Sequence, residues 1–441
     1  MGGDELFEGL AGQQSPCRPQ GRPRLREPVR DQIELRAVDI NSLIGQDHPA
    51  RVIWAYVEQL DLRVLEDAIK ARAGTPGHPM MAPRLLLALW LYATSEGVGS
   101  ARALARLCES HDAYRWLLGG VSVNYHTLAD FRVGQSELLD RLLTENVAAL
   151  AQAGVIDLSM LTQDGVRVRA SAGSSSFRRR ATLEQHLARA QNAVERLKRE
   201  VNEDPDASNR RVRAAQERAA RERIERIEAA KQALSQVEMV RKKREKKNRN
   251  QTEKQKEPRA STSDPQARVM KMADGGFRPA YNVQVVSVAG GQIVVAVDPV
   301  AVGSDRGLMR PMLEQVQSRT GQLPQRHLAD GGFTAAKDIE WAHGKEIAVY
   351  SPPTNSKHGR DPFAPRDEDG PGVCHWRQRM ASEPAKAFYK IRAICECIHA
   401  RWRNWNLRLS VRGLCKVKAA MLWYALANNI LQGDRMRRAA A

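Results

Sequence analysis

Three acidic residues stand at points where separate elements would end or turn. Asp164 follows the apolar run 155–162, Asp330 follows the apolar stretch at 328–329 and precedes Gly331-Gly332, and Glu396 lies in a helical region near the C-terminus. Carboxylates converging from different elements suit divalent-metal chemistry at phosphorus. Mg²⁺ takes oxygen ligands, with water and substrate phosphate completing the shell. Two such ions about 3.5–4 Å apart can stabilise both the attacking and the leaving oxygen of an in-line displacement. Strand ends hold the aim of such groups rigidly, and glycines beside them let a phosphate approach the backbone.

Tyr389, Arg392, Glu396 and Arg403 follow one another at offsets of 3, 4 and 7, which puts all four on one helical face. A carboxylate between two arginines and a tyrosine suits a metal beside a DNA phosphate. The plain alternative is a helix carrying exposed salt bridges. Asp330 has a competitor, because Ala273-Asp274-Gly275-Gly276-Phe277 repeats Ala329-Asp330-Gly331-Gly332-Phe333 word for word. Asp274 precedes a hairpin and is expected in its turn. Asp330 ends an apolar strand between two helices and is preferred.

The elements that must carry these residues change texture along the chain. Residues 1–28 read as a flexible basic lead-in. From 29 to 150 the apolar spacing is helical, with Pro83 at a helix start and Ser100 as a cap for 101–109. The link 119–122 leads to a second polar helix over 124–132. That offers either a helix-turn-helix to a DNA groove or an ordinary bundle. Strand patterns follow at 155–162, 281–288 and 292–297, the last two joined by the turn Ala289-Gly290-Gly291. A helix over 308–319, a strand at 325–330, a helix over 334–343, a strand at 347–350 and a helical region from about 384 complete the chain. This β, ββ, αβαβα order predicts an α/β, RNase H-like (retroviral-integrase-type) catalytic domain over 151–435 behind a helical N-terminal domain.

Residues 178–262 interrupt that domain. Leu183, Leu187, Ala190, Val194, Leu197 and Val201 form a heptad seam, 202–206 breaks it, and Ala220, Ile224, Ile227 and Leu234 mark a second arm. A charged helical hairpin is expected. Over 178–260 there are 25 basic and 14 acidic residues, a net of +11 out of +18 for the whole 441-residue chain. With a pI near 9.9, so concentrated a charge points to nucleic acid. The run containing Lys242, Lys243, Arg244, Lys246 and Lys247 can hold phosphate backbone without reading sequence, or serve only as a solvated linker.

Tyr389-x2-Arg392-x3-Glu396-x6-Arg403 resembles the Y-x2-R-x3-E-x6-K/R signature of insertion-sequence DDE transposases of the IS-four and IS-five kind. The segment 264–271 with Tyr281-Asn282-Val283-Gln284, the stretch Thr127 to Arg132, and Arg412-Gly413-Leu414 with Asn428-Asn429 are similar to the IS-eleven-eighty-two group. The likeness covers about 30–435, and a charged insert after the first catalytic strand is usual there. The resemblance implies that Asp164, Asp330 and Glu396 are the catalytic residues and hold two Mg²⁺ (or Mn²⁺) ions. It implies that Tyr389, Arg392 and Arg403 position the element's end; Arg132 and the basic run are expected as further DNA contacts. The partners implied are terminal inverted repeats, target DNA and a second copy of the chain. Another RNase H-like nuclease and a non-catalytic DNA-binding relic are the competing readings, and the Tyr389–Arg403 face argues against the first.

Other chemistries find no support. There is no G-x4-G-K-[ST] loop for an ATP-driven motor, and the serines of 171–176 lack a nucleophile elbow. His327 reads as a surface histidine. Six scattered cysteines, at 17, 108, 374, 395, 397 and 415, have no zinc spacing and read as free thiols. No window reaches the roughly 20 apolar residues of a membrane span. Without a secretion signal at the N-terminus, a cytoplasmic protein at the bacterial nucleoid is expected.

Overall fold

Valine-rich segments that can be buried on both faces build a central sheet. Its strands are β1 (Met160–Arg169), β4 (Arg268–Lys271), β5 (Phe277–Val288), β6 (Val294–Val300), β7 (Arg326–Ala329) and β8 (Ala348–Tyr350), while β2 (Phe177–Arg178) and β3 (Ala260–Ser261) form a separate ribbon. In this computed structural model the chain divides into two units, Met1–Asp39 and Ile40–Ala441. The structure describes residues 37, 39–72, 74, 79–203, 207–247, 257–354 and 359–440. The lead-in expected over 1–28 lies outside the described residues, and the sheet with its flanking helices belongs to the second unit.

β5 is the hub. It pairs antiparallel with β1, with β6, and at its N-terminal end with β4, while β7 and then β8 continue from β1 in parallel. Two differences from the sequence reading have one cause. The strand expected over 155–162 runs instead from Met160 to Arg169, so Asp164 sits mid-strand. Its antiparallel partner extends to the pair Arg169↔Ala280, whereas the parallel pairing with β7 stops at Gln163↔Ala329. Asp164 is thus the first residue beyond the parallel ladder. β6 likewise runs to Val300, carried by its pairing with β5.

The helices before the sheet are α1 (Pro49–Glu58), α2 (Arg63–Asp67), α3 (Pro83–Ser95), α4 (Ala101–Ser110), α5 (Asp112–Leu118), α6 (Tyr125–Gly134) and α7 (Ser136–Gln152). Ser100 caps α4 through Ala103 N–H, and Asn124 caps α6 through His126 N–H at 2.8 Å. α5 intervenes between α4 and the Gly119-Gly120 link. The expected helix-link-helix is therefore three helices rather than two.

The insertion is two long helices, α8 (Arg180–Glu203) and α9 (Ala207–Lys247), rooted on the β2–β3 ribbon. Leu183, Ala190, Ile227 and Leu234 are buried between them. Arg180 at the start of α8 pairs with Glu238 near the end of α9 at 2.7 Å, so the arms run antiparallel. Lys242 is exposed, and the side chains of Lys243, Arg244, Lys246 and Lys247 lie outside the described residues.

The remaining helices are α10 (Met309–Thr320), α11 (Ala336–His343), α12 (Pro371–Ala381), α13 (Glu383–Tyr389), α14 (Ile394–Asn404) and α15 (Leu414–Ala440). The C-terminal helical region therefore starts at Pro371 rather than near 384. α14 lies on β1, and α15 packs on β6 and on α1, α3, α6 and α7. One apolar core consequently runs from Ile53 and Leu87 through Leu426 to Val285. Asp264 and Gln266 hold the start of α15. Gly413 N–H donates to Asp264 Oδ1 at 3.3 Å and Leu414 N–H to Gln266 Oε1 at 2.6 Å, while Tyr281 donates its hydroxyl to the same Asp264 oxygen at 2.7 Å. The segments 264–268 and 412–414, far apart in sequence, thus meet in the fold. Among the described residues no helix is long and apolar enough to cross a membrane.

Two buried polar devices specify this packing. Asn429 on α15 acts as an extra strand residue, accepting from Val294 N–H at 2.7 Å and donating to Val294 C=O at 2.7 Å. On the face of the sheet opposite the Asp164 side chain, Gln163 meets His327 at 3.1 Å and donates to Gln284 at 3.0 Å and to the Leu308 carbonyl at 3.1 Å. His327 is thus fully buried, contrary to its reading as a surface residue, because it lies on β7 between β1 and β8. Burial pushes its imidazole down to about 3.

Asn429→Ala leaves both Val294 backbone groups buried without partners, which costs about 2–4 kcal/mol; a clear fall in the urea midpoint is expected, and an unchanged midpoint would refute this role. For His327 the unfolded chain takes up a proton below about pH 6.5 that the folded chain refuses until about pH 3. Stability therefore falls as pH drops through that window. In urea melts at pH 7 and 4.5, His327→Gln should lose less stability than the unaltered chain, and equal losses would contradict the assignment.

Candidate active site

The register that sets β1 beside β7 brings the first two carboxylates together. Gln163 pairs with Ala329, so Asp164 and Asp330 are the next residues on adjacent parallel strands, whose backbones lie about 4.8 Å apart. Each ties one oxygen to the glycine after it. Gly165 N–H donates to Asp164 Oδ1 at 2.8 Å, and Gly331 N–H to Asp330 Oδ1 at 2.6 Å. The second oxygen of each is left for other partners. Both glycines are sterically required. A Cβ at Gly165 would fall 2.6 Å from Asp305 Oδ1, and one at Gly331 would fall 2.9 Å from the Pro352 carbonyl.

Glu396 joins through Arg392. The Arg392 guanidinium lies 3.3 Å from Asp164 Oδ2 and donates to Glu396 Oε1 at 3.0 Å. Tyr389 stands 5.8 Å away beneath it. The single helical face drawn over 389–403 is broken in the structure. α13 ends at Tyr389, a 3₁₀ turn spans Lys390–Ala393, and α14 begins at Ile394. Tighter winding still leaves Tyr389, Arg392 and Glu396 in contact, while Arg403 is exposed two turns further along.

Charge in this site is balanced by the arginine. Burial pushes the Asp164 carboxyl up, Arg392 and the Gly165 N–H pull it down, and Asp330 and Asp305 add to the rise. Burial opposes the charge on Arg392, but Tyr389 and the three carboxylates outweigh it and hold the guanidinium above its ordinary value. Burial raises Tyr389. The carboxylate oxygens are hard donors of the kind Mg²⁺ takes, and Arg392, an internal cation on two of them, marks their need for positive charge. The donor set fits a divalent ion in that sense. Among the described residues, however, no group of three or more His, Cys, Asp or Glu side chains is gathered closely enough to hold one.

Two residues of the site carried no sequence signal. Asp305 accepts from Arg167 at 2.8 Å, Asn282 at 2.7 Å and Gln284 at 3.0 Å, and lies against Gly165 and Gly332. The alternation in Tyr281-Asn282-Val283-Gln284 now has a reason, since Asn282 and Gln284 hold Asp305 while Tyr281 faces Asp264. His399 is one turn after Glu396, with Nδ1 at 3.6 Å from Asp164 Oδ2. Burial pushes its imidazole down to about 4.

A cleft of about 1190 Å³ is lined by Asp164, by Glu396, His399 and Arg403 of α14, and by Lys271 and Arg278 of β4 and β5. Asp330 is exposed beside it but not part of its lining. Asp274 does line it, sitting in the β4–β5 turn, where it accepts from Gly276 N–H at 3.0 Å and pairs with Arg278 at 2.6 Å. Arg403 and Lys271 make no ion pair among the described residues. Arg132 is not available to DNA in this structure. It is buried with its guanidinium 4.7 Å over Trp90, donating to Gly99 C=O and to Ser410 Oγ, and burial lowers its pKa. It joins α6 to the loop before α15, a packing role that a one-dimensional motif does not reveal.

Residues 38–133 match the family model described as Transposase domain (DUF772), and residues 252–430 match the one described as Transposase DDE domain. The second match contains Asp330 and Glu396 and begins after Asp164. No curated protein and no solved structure matched the chain. An RNase H-like sheet is what a DDE domain implies, and the β6-β5-β1-β7-β8 order, antiparallel on one side of β1 and parallel on the other, agrees with it. The chain is thus similar over residues 252–430 to the DDE domain of transposases and over residues 38–133 to a second transposase domain.

Proposed function

We propose that this protein cleaves the ends of a mobile DNA element of the insertion-sequence kind and joins them to target DNA. In cleavage, a water oxygen bonds to phosphorus while the P–O3′ bond breaks, leaving a 3′-hydroxyl and a 5′-phosphate. In joining, that 3′-hydroxyl oxygen bonds to a target phosphorus and the target's own P–O3′ bond breaks. The observation that carries this reading is the adjacency of Asp164 and Asp330 at the end of their shared ladder, with Arg392 linking Asp164 to Glu396. Asp164, Asp330 and Glu396 would hold two Mg²⁺ or Mn²⁺ ions, which would supply charge neutralisation at the attacking and leaving oxygens.

The chain's own groups do the rest. Arg392 bridges Asp164 and Glu396 and offsets the repulsion between them. Arg403 and Lys271, which both line the cleft, hold the phosphates flanking the reacting one. Tyr389 supports Arg392 from below. The helices of 40–152 and the α8–α9 arm, whose segment accounts for most of the chain's net charge, carry the DNA away from the cleft. Joining two ends calls for two copies of the chain.

Asp164→Asn, Asp330→Asn and Glu396→Gln should each lower metal-dependent cleavage of end DNA by at least about 10³-fold, the scale of several kcal/mol of lost transition-state stabilisation. Asp274→Asn should leave cleavage within about tenfold, since that carboxylate is already paired with Arg278. If Asp330→Asn cleaves normally and Asp274→Asn does not, the two aspartates have been assigned the wrong way round.

A further inference from the structure

The β4–β5 hairpin outruns the sheet. β1 leaves β5 at Arg169↔Ala280 and β6 leaves it at Val300↔Asn282, whereas β4 and β5 go on pairing as far as Lys271↔Phe277. The last pairs therefore form a two-stranded ribbon. Its turn is fixed by Met272 N–H, which donates to the Gly276 carbonyl at 2.7 Å, and by the Asp274–Arg278 ion pair.

The two faces of the ribbon differ. On one, Met270 is buried, Arg268 donates to the Pro265 and Ala267 carbonyls, and Arg278 is held by Asp274. On the other stand Val269, Lys271, Phe277 and Pro279, since residues paired across an antiparallel ladder project to the same side. Phe277 is 68% exposed and Val269 51%. They are diagonal neighbours, within reach of an aromatic ring, so their apolar surfaces make one patch. Phe277 is an even number of residues from Val285, the register partner of Asp164, so the patch lies on the face of the sheet that carries that carboxylate.

The charge around the patch says what covers it. Lys271, across from Phe277, lines the cleft with Arg169, Arg403 and Arg408. All four are exposed, and none makes an ion pair among the described residues. A surface of this charge attracts a polyanion. Apolar side chains gain nothing from phosphates, so on DNA they meet base edges. A two-stranded ribbon fits the major groove, about 12 Å wide, where thymine alone presents a methyl group to an apolar side chain.

We propose that the β4–β5 ribbon lies in the major groove of the DNA held in the cleft and that Phe277 and Val269 pack on thymine methyls there. This role rests on the transposase reading and adds to it a part of the chain that reads sequence, while the cations beside it position the backbone.

The full chain is bound, without divalent metal, to a duplex carrying the element's end in which each thymine in turn is replaced by deoxyuracil. That change removes one methyl and no hydrogen-bonding group. At one or two positions the unaltered protein should bind about 4-fold more weakly, the scale of one buried methyl. Phe277→Ser and Val269→Ser should each weaken binding to the thymine duplex and erase the penalty at the position the lost side chain covers, and Phe277→Leu should keep part of it. Both side chains are exposed, so the core is undisturbed. Lys271→Ala should instead weaken binding to the thymine and deoxyuracil duplexes alike and make it less sensitive to salt. A penalty absent at every position, or unchanged in both Phe277→Ser and Val269→Ser, overturns the proposal. Failure of the unaltered protein to cleave end DNA with Mg²⁺ or Mn²⁺ strikes the transposase reading instead.

Discussion

The parallel ladder between β1 and β7 stops at Gln163↔Ala329, and the site depends on where it stops. Backbone pairing of two strands is a rigid constraint, because a slip of one residue turns every side chain to the opposite face. Gln163 and Ala329 are buried inside the ladder. The next residue on each strand is free of it and carries a carboxylate. The network of Gln163, His327 and Gln284 locks that register from behind, since a slip would strand several buried polar groups at once. Precision at the cleft is thus inherited from hydrogen bonds that never touch it.

Bringing acidic groups together in a half-buried place is unfavourable, and the chain's own arginines offset much of the repulsion. Arg392 reaches both Asp164 and Glu396, and Asp305 is neutralised separately by Arg167 with two amides beside it. Arg392 is placed by a 3₁₀ turn between two α-helices rather than by one continuous helix. That turn brings it back over Tyr389 while α14 goes on to pack against β1.

Much of this was legible in the sequence because its signals are local. The αβαβα alternation, the Ala289-Gly290-Gly291 turn and the glycines after Asp330 each depend on a few neighbouring residues, and the heptad seam of 183–197 needs only its own spacing. Features set by partners far along the chain were not legible. β1 extends past Asp164 because β5, more than a hundred residues later, continues to pair with it. Arg132 looks like a basic residue at the end of a polar helix until Trp90 and Ser410 close over it. His327 next to a strand end looks exposed until β8 covers it. Asp305 belongs to no spacing pattern, His399 follows Glu396 by one helical turn without showing what it meets, and only the folded chain brings both to Asp164.

The last helix of the chain has a consequence for how the molecule can be divided. α15 supplies apolar side chains to the sheet and to four of the early helices at once, and its first turn is fastened by Asp264 and Gln266 from the middle of the sequence. A truncated product that stops before residue 414 would expose both halves of the interior together, leaving no stably folded remnant. Premature termination in such a protein therefore yields loss of the whole rather than a dominant fragment.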